Sequence, residues 1–405
     1  MVICRSSEIL LGWQKYDQFA GRRRLREESF IYEFLRKLLS SLTVLDRLWS
    51  GELCNRFLPA AGCVQLRINS RPLAFRVLSA QRRQIGLSNF TINGIVPIVP
   101  TPFDSDEEID WEALGSLLDF AVAAHVEAIC LPAYASEFYK LAEAERKQTV
   151  VFAVEHLESK VSVVAQVNYA SSRQAACAAR EAQADGASAV CCAVPRIFSL
   201  DDSALVKHFD RILQAIDIPL IIQDFNPGGN SLSASFVAEL HRAHPHFRYV
   251  KLEEPLMAEK VEAILEETSG EVGVLEGWGG MFMLELIRSG ICGVMPGLAI
   301  SDILARTFRL ARGGDLDCAY ELYQGVLPQI VFCLQNMELY HHAEKLLLEA
   351  RGILSRANVR SATRTLRESE TRHIQFLNVK ILSLLDRFNM PRNPARQASF
   401  RNAER

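Results

Sequence analysis

No stretch of this chain reaches the roughly 18 uninterrupted apolar residues that a membrane-spanning helix needs, which excludes a helical membrane bundle. Excess charge of one sign is lacking too. The 45 Lys and Arg against 48 Asp and Glu leave a net charge of −3, too little for the whole molecule to be drawn to nucleic acid or an anionic membrane. Ten cysteines are present but form no CxxC pair and no spacing of a small secreted domain, which points to buried thiols in a reducing compartment. The nine histidines show no metal-ligand spacing: His241, His244 and His246 fall in a proline-containing turn, and the adjacent His341 and His342 point different ways on a helix. The N-terminus lacks the basic, apolar and cleavage-site order of a secretory signal. These absences together lead to an expected cytoplasmic protein with a small-molecule partner, without metal, nucleic acid or membrane.

What the chain does contain is a rhythm. Its 405 residues are 49 % hydrophobic, enough for one barrel-sized domain with extensions. Residues 1–86 carry 15 Lys and Arg against 7 Asp and Glu, and the remainder is acidic, so the two parts differ in kind. In the first part only residues 29–49 have the spacing of an amphipathic helix. From Gly94 onward, short apolar runs alternate with helical patterns. Strands are expected at 94–100, 127–133, 161–167, 187–194, 218–224, 247–253, 271–277 and 290–296. Eight such strand and helix pairs predict an α/β chain folded as a (β/α)8 TIM barrel. An open doubly wound sheet would normally show a glycine-rich phosphate turn after its first strand, and Thr-Pro-Phe-Asp stands there instead, so no nucleotide cofactor is expected. Additional C-terminal helices are expected between Asp315 and Asn389, broken near 325–328 and 352–358. The expected organisation is an N-terminal extension over 1–86, the barrel over 87–313 and a C-terminal helical region over 314–405.

In such barrels the reactive groups stand at the C-terminal ends of the strands. The polar residues there are Thr101, Tyr134, Ser136, Glu137, Gln166, Asn168, Arg196, Gln223, Asp224, Lys251, Glu253, Glu276 and Trp278. Lys251 is the sharpest, a single ammonium inside the apolar strand Phe-Arg-Tyr-Val-Lys-Leu-Glu. Desolvation is expected to lower its pKa toward neutrality and provide the free amine that condenses with a ketone. A lysine paired with Glu253 or Asp224 in a purely structural role is the competing expectation.

These residues resemble a known family. Gly94-Ile-Val-Pro-Ile-Val-Pro-Thr-Pro-Phe103, Ala133-Tyr-Ala-Ser-Glu137, Ile218-Pro-Leu-Ile-Ile-Gln-Asp-Phe-Asn-Pro-Gly228, Val250-Lys251, Gly290-Ile-Cys-Gly-Val-Met-Pro-Gly297 and the set Lys345, Gly352, Arg360 are similar to the motifs of the dihydrodipicolinate synthase and N-acetylneuraminate lyase family. The resemblance implies a Schiff-base lyase acting on pyruvate-like 2-oxo acids, with Lys251 as the imine-forming amine and a homo-oligomer, commonly a tetramer. It also implies where the substrate would be held. Tyr134, Ala135, Ser136 and Glu137 stand in the family's hydroxyl-bearing loop, and Gly297 closes the eighth-strand motif. Placing Pro227 on the family's proline puts Asp224 where a proton-shuttling tyrosine is found, so Asp224 is the expected second catalytic residue. Arg196 is the expected replacement for a carboxylate anchor. The departures at these places argue against lysine biosynthesis and keep open a barrel that has lost turnover and serves as a binding or assembly protein.

Overall fold

The structure is a computed structural model that describes residues 90–196, 200–225 and 231–397, together with two short antiparallel strands, Leu66–Ile68 and Arg71–Leu73. The chain divides into two compact units between Arg83 and Gln84. The helix expected over 29–49 lies outside the described residues, as do Asn226, Pro227 and Gly228 of the fifth-strand motif.

In the second unit eight parallel strands carry the site: β1 (Gly94–Ile95), β2 (Ala128–Leu131), β3 (Ser162–Gln166), β4 (Ala189–Ala193), β5 (Leu220–Phe225), β6 (Phe247–Glu253), β7 (Gly273–Glu276) and β8 (Gly293–Val294). Each lies in one of the eight expected runs, except that β5 ends one residue past its run, at Phe225. Each strand from β2 to β8 pairs in parallel with its successor or predecessor, and β8 pairs with β1. Ile98, just past β1, bridges Cys130 on one side and Gly297 on the other, which closes the ring.

Between the strands run α1 (Trp111–Ala123), α2 (Glu143–Leu157), α3 (Ser172–Ala184), α4 (Asp202–Leu213), α5 (Ala234–Ala243), α6 (Met257–Glu267) and α7 (Met283–Ser289), followed by α8 (Ser301–Arg312). Their starts are written in side chains. Asp110 accepts a hydrogen bond from the Ala113 N–H, Asp201 from that of Ala204 and Ser233 from that of Phe236, each satisfying a donor the helix leaves free. Alternation along the strands separates two cores. Val164, Cys191, Ile221, Tyr249 and Leu275 face the barrel interior, whereas Val163, Cys192, Ile222, Val250 and Val274 pack against the helices. Cys191 and Cys192 thus point to opposite faces.

Three further helices, α9 (Leu316–Cys333), α10 (Met337–Ala350) and α11 (Glu368–Arg387), lie C-terminal to the barrel. The break expected near 325–328 is not there: α9 runs through Gly325 and Pro328, and the chain turns only at 334–336. Gly325 is a packing residue, because a Cβ at this position would lie 2.7 Å from Leu384 Cδ2 of α11. The break at Gly352 is present, and the chain from there to α11 folds back over the barrel loops.

Buried titratable groups in this layer give it a pH dependence. His341 on α10 is 1 % exposed, and burial depresses its pKa to about 4. An unfolded chain takes up this proton near pH 6.5, so the stability contributed by neutral His341 is fully present above that value and is lost as pH falls through 4. His341→Gln is expected to flatten the dependence of the unfolding midpoint on pH between 6.5 and 4. A slope equal to that of the wild type would contradict this assignment.

Candidate active site

At the C-terminal end of the barrel a cavity of about 340 Å³ is walled by Ile98 after β1, Ala133, Tyr134 and Ala135 after β2, Gln223 and Phe225 of β5, Lys251 and Glu253 of β6, Gly277, Trp278 and Met281 after β7, and Gly297 after β8. Residues of α9 and α10 and the turn between them, Cys333, Asn336, Met337 and Tyr340 among them, form its outer wall. Lys251 is its one lysine or arginine among the described residues.

Strand parity explains which side chains reach the cavity. Lys251 and Glu253 are two apart on β6 and share the inner face, whereas Leu252 between them packs outward. Lys251 Nζ lies 2.9 Å from Glu253 Oε1, and both side chains are 6 % exposed. Gln223 Nε2 donates to the same carboxylate oxygen at 2.7 Å, and Gln166 Nε2 donates to Gln223 Oε1 at 2.5 Å. Cys130 Sγ completes the chain at 3.6 Å from Gln166 Oε1. Burial is the largest single influence and works to lower the Lys251 pKa, but Glu253 and, after it, the neighbouring Cys191 and Cys130 together outweigh it, and the amine is held above its ordinary value. The expected drop toward neutrality is not found, because the neighbours of the amine, Glu253 first among them, more than offset its desolvation. The Cys191 thiol, hydrogen-bonded with Cys130 and buried, is pushed well above the usual thiol range and stays neutral.

The ion pair needs room, and a glycine provides it. A Cβ on Gly277 would lie 2.6 Å from Lys251 Cε and closer still to Glu253 Cγ. Gly277→Ala is expected to displace both side chains, lowering kcat/KM at least about tenfold and costing about 1–3 kcal/mol of stability through overpacking. Steady-state kinetics beside thermal unfolding would test this, and wild-type values for both would refute it. Gly297 is under a similar constraint, since a Cβ there would come within 2.7 Å of Glu344 Oε1 of α10 and nearer still to the Tyr340 hydroxyl.

Of the residues expected to act on or hold a substrate, the structure brings Lys251, Tyr134, Ala135 and Gly297 to one cavity and leaves Ser136, Glu137, Arg196 and Asp224 outside its lining. Tyr134 opens a short 3-10 turn, Tyr134–Ser136, and its ring packs on Phe138 and Phe225 at centroid distances of 5.0 and 5.7 Å. Burial, and then the negative charge of Glu253, raise its pKa. Ser136 is fully buried, with its hydroxyl donating to the Val99 carbonyl and accepting from the Ala133 N–H. Thr101 donates to the Ser136 carbonyl, so both hydroxyls brace the loop. Glu137, also fully buried, binds Lys345 Nζ at 2.5 Å and Lys140 Nζ at 3.0 Å, and accepts from the Arg360 N–H. Arg360 in turn holds Glu145 with two hydrogen bonds, of 2.8 and 2.9 Å. The set Lys345 and Arg360 thus ties the C-terminal helices to the β2 loop.

Asp224 faces away from the barrel interior. Its carboxylate is 0 % exposed and binds Arg196, the Leu232 N–H and Lys260. The β5 residue in register with Lys251 is Gln223. Arg196 is therefore committed to Asp224, and neither stands beside the amine. Glu276, at the end of β7, is likewise turned from the cavity. Burial raises its carboxyl to about 7, and it accepts from the Gly280 and Phe282 N–H groups. In the sequence Glu253 stands out only as a structural partner for Lys251, and that pairing is present; Gln223 carries no signal beyond its place at a strand end, although the spacing of Lys251 and Glu253 already puts those two on one face.

The model of the dihydrodipicolinate synthetase family matches residues 91–378. An L-2-keto-3-deoxyarabonate dehydratase of Azospirillum brasilense is 29 % identical over 241 residues, covering 58 % of this chain and 78 % of the relative. A 4-hydroxy-tetrahydrodipicolinate synthase of Chlorobium chlorochromatii is 30 % identical, covering 57 % and 79 %. Among solved structures, YagE of Escherichia coli in complex with pyruvate superposes with a TM-score of 0.65 at 19 % identity, covering 72 % of this chain and 98 % of the other. That likeness carries the fold.

Proposed function

The chain belongs to the dihydrodipicolinate synthetase family, whose members named above are lyases, and from that premise we propose that Lys251 condenses with a small 2-oxo acid to form a Schiff base. The substrate is pyruvate or a 2-keto-3-deoxy sugar acid, and the iminium serves as electron sink for aldol cleavage, aldol condensation or dehydration. The observation that carries this reading is the amine of Lys251 at the wall of an otherwise largely apolar cavity at the catalytic end of the barrel. A lysine retained only for structure would not need to border open space.

Two features of the cavity narrow the substrate. Lys251 and Glu253 offset each other, and no second lysine or arginine lines the cavity among the described residues. A substrate with a single carboxylate and an uncharged tail suits such a lining better than a dicarboxylate or a phosphorylated sugar acid. Its carboxylate would lie against the turn at Tyr134 and Ala135, and its tail would run toward Trp278, Asn336 and Tyr340. The Azospirillum relative, an L-2-keto-3-deoxyarabonate dehydratase, supports the same choice.

A panel of 2-keto-3-deoxy sugar acids of graded length, with and without a second terminal carboxylate, tests this proposal. Release of pyruvate would mark an aldolase, and loss of water without pyruvate a dehydratase. Turnover of a monocarboxylate ahead of its dicarboxylate counterpart is expected. Absence of turnover across the panel, beside an active family control, would refute the proposal and favour a binding role for the barrel.

A further inference from the structure

Imine chemistry needs a proton acceptor beside the amine, and Asp224, turned out of the barrel, cannot be it. Glu253 shares the inner face of β6 with Lys251, and its Oε1 lies 2.9 Å from Nζ. Once Nζ is bonded to C2 of a 2-oxo acid, C3 lies two bonds away, about 2.5 Å from the nitrogen by ordinary covalent geometry. A carboxylate in hydrogen-bond contact with Nζ is thereby within reach of the C3 hydrogens. The two amides behind it, Gln223 and Gln166, have no proton to exchange in the physiological range. Their hydrogen bonds fix the carboxylate with one oxygen toward the amine. The Tyr134 hydroxyl also borders the cavity, but its raised pKa makes it a poor base at neutral pH.

We propose that Glu253 is the acid–base residue of this site, moving the C3 proton of the Lys251-bound substrate. The inference rests on the Schiff-base reading above. In the step, the C3–H bond breaks and its electron pair becomes the C2=C3 bond of an enamine. The C2=N π pair passes to nitrogen, discharging the iminium, and the proton is held on the Glu253 carboxyl. In dehydration the same proton leaves with the departing hydroxyl as water. In aldol cleavage the carboxylate takes the hydroxyl proton as C3–C4 breaks, and the proton is then returned to C3. Gln223 is a positioning residue in this scheme.

Pyruvate, the simplest 2-oxo acid, separates the two roles. In deuterium oxide its methyl protons exchange through the enamine, which NMR follows, while borohydride traps the iminium. Wild-type protein is expected to exchange and to be trapped. Glu253→Gln removes the charge that raises the Lys251 pKa, so the amine is freed more readily and trapping persists. Exchange is expected to fall about 10²- to 10³-fold, the usual contribution of a positioned acid–base group. Glu253→Asp is expected to recover part of the exchange, which guards against a Gln variant that fails to fold. Exchange by folded Glu253→Gln within about threefold of wild type would overturn the proposal. So would a folded Glu253→Gln protein that borohydride no longer traps, since the carboxylate would then act in the condensation itself. Wild-type protein that is never trapped would instead bring down the Schiff-base reading, and this inference with it.

Discussion

Lys251→Arg is expected to lose turnover by at least about 10³-fold, and to lose adduct formation with any 2-oxo acid. The guanidinium keeps a positive charge beside Glu253, so the carboxylate is not left unpaired in the interior. It is permanently protonated and has no free amine to add to a ketone. The variant therefore separates charge from nucleophilicity. Binding of a 2-oxo acid, read by calorimetry, is expected to weaken much less than kcat. If Lys251→Arg retained more than about a tenth of wild-type turnover, the amine could not be the nucleophile.

The second large effect lies outside the cavity. Lys345 and Glu137 are 1 % and 0 % exposed in their side chains and lie 2.5 Å apart. Lys345 also donates to the Asn358 carbonyl and sits over the Phe103 ring at 4.5 Å. Lys345→Met would leave the Glu137 carboxylate buried with Lys140 as its remaining side-chain partner. Removing one member of a buried pair typically costs about 3–5 kcal/mol, and that is the loss of unfolding free energy expected in denaturant titration. The double variant Lys345→Met with Glu137→Gln is expected to cost clearly less than the sum of the two single changes. Strict additivity would show that the two side chains do not stabilise each other. The functional consequence follows from position: Glu137 ends the turn that carries Tyr134 and Ala135, and α10 carries Tyr340 and Met337 into the cavity wall. Loosening the pair should raise KM before it lowers kcat.

Most of the barrel was legible in the residues because parallel strands buried on both faces leave continuous apolar runs that turn signals separate. Lys251 was legible for the converse reason, as a charge inside such a run. Parity was harder to read. Counting back from Pro227 assigns Asp224 to the position beside the amine, whereas the strand places Gln223 there, in register with Lys251. A shift of one residue along a strand exchanges its inner and outer faces, and a proline beyond the strand end does not fix the count. The arginine expected to hold a substrate carboxylate followed the same error, since Arg196 binds the outward-facing Asp224. Glu137 and Ser136 showed the right residue types in the right loop. Their partners, Lys345 and the Val99 carbonyl, are distant in sequence and only the fold brings them near. Pro328 and Gly325 read locally as a helix break, yet Gly325 is where α11 approaches α9, and that packing overrides the local signal.

Borohydride reduction in the presence of pyruvate, followed by peptide mass mapping, tests most directly whether Lys251 forms a covalent imine with a 2-oxo acid. A reduced pyruvyl adduct on the peptide containing Lys251, absent from Lys251→Arg, is the predicted result. An adduct on another lysine, or none beside a family enzyme that is labelled under the same conditions, would contradict the account.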